Sequence, residues 1–264
     1  MSQNDEHERS RSMAINADTV AVKVPEITLV FWLIKIAATT LGETAGDAVS
    51  MSMNLGYLAA TGVFAAVMAV VVSAQVRAPR FSPPLYWVTI IATTTLGTTL
   101  ADFADRSLGI GYLGGSLLLL SMLVSSLVLW HRVLGTVSVA SVSSPKAEVF
   151  YWVTIMFSQT LGTALGDWTA DSAGLGYVGG MAIFTALIAL VAAAYRWTDI
   201  SRTALFWAAF VLTRPLGAVV GDFLDKPLAA GGLDLSRFGA SAVLLALIIG
   251  CVILFPQRAA AARH

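Results

Sequence analysis

The chain has 264 residues, 57% of them hydrophobic and only 12% charged, with a mean hydropathy of +0.77 and a formal net charge of zero. A soluble globular domain carries about a quarter charged residues, so this composition points to a polytopic membrane protein. The neutral balance and the lack of a long basic run exclude a nucleic-acid partner, and the single cysteine, Cys251, excludes an internal disulfide and a thiolate metal cluster.

Residues 1–24 are polar and of mixed charge, with no apolar core of signal-peptide type, and read as a disordered tail. From there the chain alternates apolar runs with short polar breaks. Runs long enough to cross a hydrocarbon core, about 20 residues, fall at 27–46, 57–76, 84–101, 112–131, 149–166, 177–195, 203–221 and 236–255. Eight transmembrane helices are therefore expected. A β-barrel is excluded because its strands are about ten residues long and alternate strictly.

The runs come in pairs, and the pairs repeat. FWLIKIAATTLGETAGDAVSMSMNLGY (31–57), YWVTIIATTTLGTTLADFADRSLGIGY (86–112) and YWVTIMFSQTLGTALGDWTADSAGLGY (151–177) align without a gap. FWAAFVLTRPLGAVVGDFLDKPLAAGG (206–232) aligns with them but lacks the closing tyrosine. Trp32, Trp87, Trp152 and Trp207 are equivalent and lie 55, 65 and 55 residues apart, so copies one and two form one half and copies three and four the other. This spacing predicts repeat 1 over 25–82, repeat 2 over 83–135, a linker over 136–148, repeat 3 over 149–200, repeat 4 over 201–257 and a tail over 258–264. Each repeat is expected to be a helix hairpin, and four hairpins of one orientation predict an all-α bundle with pseudo-twofold or pseudo-fourfold symmetry. The four tryptophans and Tyr57, Tyr112 and Tyr177 are expected to form interfacial belts.

Two patterns run along the first helix of every copy. Gly42/Gly46, Gly97/Ala101, Gly162/Gly166 and Gly217/Gly221 have the small-xxx-small spacing that lets membrane helices pack closely. Beside them runs a polar ridge of every fourth residue. It reads Lys35, Thr39, Glu43, Asp47 in copy one and Ile90, Thr94, Thr98, Asp102 in copy two. Copies three and four give Ile155, Gln159, Thr163, Asp167 and Phe210, Arg214, Ala218, Asp222. Ionisable residues within a span are costly and line interior sites, so this ridge should face inward. Glu43, Asp47, Asp102, Asp167 and Asp222, with Thr39, Thr94, Thr98, Gln159 and Thr163, are the candidate ion- or proton-binding set. Lys35 and Arg214 are the expected charge compensation, which leaves three excess negative charges. Such a site suits a hard cation, magnesium or manganese above all, with Glu43 and Asp47 as the first candidates for metal ligands.

The aromatic-Trp start, the Leu-Gly pair and the Gly-Asp or Ala-Asp end resemble a bacterial family of integral membrane proteins of unknown function. That family is built of four tandem two-helix repeats, each with a recurring tryptophan, and its members are often labelled membrane-anchored. The resemblance covers about residues 27–255 and implies an eight-helix fold in the bacterial inner membrane, without a secure activity. Basic residues such as Arg77, Arg80, Arg132, Lys146, Arg196 and Arg202 cluster between repeats, so both termini are expected in the cytoplasm.

The expected function is a secondary transporter or exporter that moves a small cation in exchange for protons. The lipid bilayer, the cation and protons are its partners; a homo-oligomer is left open, and no cofactor is expected. A non-transporting scaffold or regulator is the alternative. An intramembrane aspartyl protease is disfavoured because ETAGD, TALGD and AVVGD lack the glycine three residues before the aspartate. No catalytic residue is therefore assigned.

Overall fold

The computed structural model describes residues 22–260, so most of the tail read over 1–24 and the last four residues lie outside the described residues. Among the described residues there are eight α-helices and no strand beyond one isolated bridge between Pro25 and Ala259. The helices are α1 (Leu29–Asp47), α2 (Tyr57–Arg77), α3 (Pro83–Asp102) and α4 (Tyr112–Leu134), followed by α5 (Pro145–Asp167), α6 (Gly176–Trp197), α7 (Arg202–Asp225) and α8 (Arg237–Leu254). Six of them, all but α3 and α5, are long and apolar enough to cross a membrane. The two exceptions carry the threonines and Gln159 of the inner surface, which lower their hydropathy.

Local sequence accounts for the ends. Thr28 caps α1 by accepting from the Phe31 amide at 3.2 Å, and Ser144 caps α5 through Ala147. Thr28→Ala should cost about 1 kcal/mol of stability in a detergent unfolding titration. After Asp47, Asp102 and Asp167 the helix widens into a π turn over Ala48–Ser52, Phe103–Ser107 and Trp168–Ser172. The fourth copy instead stays α-helical to Asp225, where Pro227 holds Lys226 in extended backbone (ψ 153°). The turns into α2, α4 and α6 use paired left-handed residues, Asn54/Gly56, Gly109/Gly111 and Gly174/Gly176. The Gly-x-Gly of copies two and three is thus a turn, and asparagine takes the first position in copy one.

The odd helices form a closed inner ring, α1 against α3, α3 against α5, α5 against α7, and α7 back against α1. The even helices form an outer layer with mostly exposed apolar faces. Here the hairpin expectation is corrected. Helix α2 packs on α3, α4 on α5, α6 on α7 and α8 on α1, so each outer helix covers the inner helix of the next repeat rather than its own. The last repeat closes on the first, and the chain ends complete the closure. The Ala260 amide donates to Val24 at 2.8 Å and the Glu26 amide to Arg258 at 2.9 Å.

Glycines bring the inner helices together with the same geometry at each interface. A Cβ on Gly42 would meet Thr94, one on Gly97 the Gln159 backbone, one on Gly162 the Arg214 stem, and one on Gly217 Thr39. Every glycine therefore receives the ridge residue of the next helix in the ring, and that docking turns the four ridges inward.

The end of the ring nearest the chain termini is sealed by aromatics. Phe31 lies 5.5 Å from Trp87, Tyr86 5.8 Å from Trp152, Tyr151 6.3 Å from Trp207, and Phe206 5.8 Å from Trp32, between ring centroids. The Tyr86 and Tyr151 hydroxyls share a 2.7 Å hydrogen bond. Trp87, Trp152 and Trp207 are buried, which corrects their expected place in an interfacial belt: the narrow ring needs large side chains to fill it. Only Trp32 is partly exposed. At the same end Lys23 pairs with Glu148 at 2.7 Å and donates to Val76 at the end of α2. Burial raises the Glu148 pKa, and the Lys23 charge opposes that rise.

Candidate functional site

The ridge residues occupy stacked levels inside the ring, one helical turn apart. Lys35, Thr39, Glu43, Asp47, Thr94, Thr98, Asp102, Gln159, Thr163, Asp167, Arg214 and Asp222 are all buried. The inward face expected from the four-residue spacing is thus present on all four odd helices.

At the middle level, Arg214 reaches from α7 across the axis. One of its nitrogens, Nη2, donates to Glu43 Oε2 at 3.0 Å, Thr98 Oγ1 at 2.6 Å and Thr163 Oγ1. Thr98 also donates to Glu43, at 3.3 Å. Copies one to four therefore converge on a single ion pair. Arg214 is thus the ion-pair partner of Glu43.

Lys35 behaves differently. Its Nζ lies 3.4 Å from Gln159 Oε1 and 4.2 Å from the centroid of the Phe210 ring, and among the described residues no carboxylate lies within 4 Å of it. Its expected role as a paired counter-charge is corrected: Phe210 and Gln159 occupy the positions where an acid would be needed. Thr39 is also reassigned. Its hydroxyl donates to the Ile36 and Thr213 carbonyls, and its body fills the gap at Gly217, so it joins helices rather than lining the axis.

The four aspartates form the next level. None of them caps the π turn that follows in copies one to three, so loop capping is not their role. Arg106 bridges Asp102 at 2.8 Å and Asp167 at 3.4 Å. Lys226 bridges Asp222 at 2.9 Å and Asp47. Arg237 reaches Asp225 at 3.1 Å and Asp47 at 3.8 Å. Copies two and four supply the bridging cations at the same position, four residues after their own aspartate, so this level is pseudo-twofold rather than fourfold.

Arg106, Lys226, Arg237 and Asp225 lie outside the four-residue ridge and are not selected by its spacing. The signal that could have found two of them is the i,i+4 pairing of Asp102 with Arg106 and of Asp222 with Lys226. Because the helix continues past each aspartate, the cation folds back over it. The expected excess of three negative charges falls accordingly: six carboxylates (Glu43, Asp47, Asp102, Asp167, Asp222, Asp225) pair with four cations (Arg106, Arg214, Lys226, Arg237). Lys35 lies a further two turns inside. Burial disfavours the Lys226 charge, but Asp222, Asp47 and Asp225 outweigh it and hold the Lys226 pKa above the ordinary lysine range. Arg106, between Asp102 and Asp167, is raised in the same way against its own burial.

The carboxylates are close enough to share one ion. Glu43, Asp47 and Asp102 place oxygens within 4.8 Å of one another, as do Glu43, Asp167 and Asp222, and Asp47, Asp222 and Asp225. Glu43 belongs to two of these groups and so links the two halves of the aspartate level. All-oxygen donors of this kind suit hard cations and not soft ones.

No match is found among curated proteins or among solved structures. A family model described as a repeat of unknown function, DUF347, matches residues 30–81, 85–136, 150–201 and 205–256, each stretch one inner helix with the outer helix after it. With four matches in tandem covering most of its length, the chain belongs to this repeat family.

Proposed function

We propose that the protein is an eight-span membrane transporter of the bacterial inner membrane that moves a small hard cation, such as magnesium or manganese, in exchange for protons. The observation that carries the reading is the buried carboxylate cluster, in which Glu43 places an oxygen within 4.8 Å of Asp47 and Asp102 and, in a second group of three, of Asp167 and Asp222. Its carboxylates are held by tethered cations, Arg214, Arg106 and Lys226, that an incoming ion or protons would replace. A scaffold needs the packing glycines but not this cluster.

The same reading places α3 and α5 within the bilayer despite their lower hydropathy, because they are walled by α1, α7 and the outer helices. In this reading both termini and the aromatic seal face the cytoplasm and the aspartate level faces outward, which the basic residues between repeats support.

In proteoliposomes loaded with a pH-sensitive dye, a manganese or magnesium gradient should drive counter-movement of protons. Glu43→Gln and Asp47→Asn should each reduce that flux to the level of empty vesicles, with purified yield and helical content unchanged. Undiminished flux in both variants defeats the assignment.

A further inference from the structure

Charge separates into two levels along the axis. The carboxylates gather at Glu43 and beyond, whereas the two turns before it, which carry Lys35 and then Gln159 and Arg214, hold two cations and no acid of their own. These side chains converge across both diagonals of the ring. Lys35 of α1 meets Gln159 of α5, and Arg214 of α7 meets Thr98 of α3.

The donors at this level exceed the acceptors. Arg214 uses only Nη2; its Nε and Nη1 are buried and have no partner among the described residues. Gln159 Nε2 is likewise buried and unpartnered. Lys35, Gln159 and Arg214 are fully buried, at 0% exposure. A buried cation or N–H without an acceptor is unfavourable, and one small anion on the axis would supply acceptors to several of these donors together.

We infer that Lys35, Gln159 and Arg214 form a binding site for a small monovalent anion of the chloride or nitrate class. The site lies between the aromatic seal and the carboxylate level, and it goes beyond the cation reading.

The test uses the purified full chain in detergent, in sodium gluconate. Chloride or nitrate replaces gluconate at constant sodium and ionic strength, with the thermal midpoint and calorimetric binding as readouts. The wild-type midpoint should rise by roughly 5 °C at saturating anion. Lys35→Met should weaken binding at least about tenfold, whereas Lys35→Arg should hold it within a few-fold. Gln159→Leu keeps both charges and should weaken binding several-fold, which covers the case in which Lys35→Met fails to fold.

A wild-type response to neither anion overturns the site, and so does unweakened binding in both Lys35→Met and Gln159→Leu. Glu43→Gln separates the two readings. It should abolish cation flux while leaving chloride binding intact or tighter, so either site can fail without the other.

Discussion

Arg214→Met should destabilise the protein by about 3–5 kcal/mol in a denaturant titration in detergent, the cost of leaving a buried carboxylate without its counter-charge. Methionine matches the length of the arginine stem that fills Gly162, so helix packing at that interface is retained. What disappears is the donor to Glu43, Thr98 and Thr163. Adding Glu43→Gln removes the stranded charge, and the double variant should recover most of the loss. If the two substitutions were simply additive, the ion pair would not be the origin of the effect.

The second large effect is expected at the seam where the ring closes. A Cβ on Gly217 would stand 2.2 Å from Thr39 Oγ1, 2.6 Å from its Cβ and 2.9 Å from its carbonyl carbon. Rotating the Thr39 side chain relieves only the first of these contacts, so Gly217→Ala must push α7 and α1 apart. The cost should reach about 3 kcal/mol, the upper end of what overpacking exacts. Thr39→Ala should not rescue it, because the alanine Cβ remains in the way. Thr39→Gly should do so in part. A Gly217→Ala protein as stable as the wild type would show that the α1–α7 interface is looser than the distances indicate.

Much of this arrangement was legible in the chain. Four copies aligned without gaps fix the number of helices, and the run of Lys35, Thr39, Glu43 and Asp47 at every fourth residue puts one face of α1 inside. The stagger of the outer helices was not legible. A repeat written as inner helix plus outer helix is equally compatible with α2 lying on α1 or on α3, since both surfaces are apolar and only the three-dimensional closure selects one. The tryptophans were misplaced for a related reason. An aromatic residue at a helix end reads as an interfacial anchor in an isolated span, but four such ends meeting around one axis bury each other. Arg106 and Lys226 are missed by the ridge spacing because they follow the aspartate and look like loop residues, although the helical path returns them to its carboxylate.

The stagger bears on what half of this chain could do. Take α1 to α4 alone: α2 covers α3, while α4 has no α5 to cover and α1 has no α8 upon it. Two such halves are mutually complementary, since the α4 of each would cover the α1 of the other. Two repeats alone therefore leave the ring open, and a second copy has the complementary faces needed to close it. Such a pair would place Asp102 and Arg106 of both subunits where copies two and four now supply the bridging cations. The internal duplication is then a covalent version of that pair, and its gain is asymmetry: once the halves share one chain, Lys35, Glu43 and Arg214 need occur only once each.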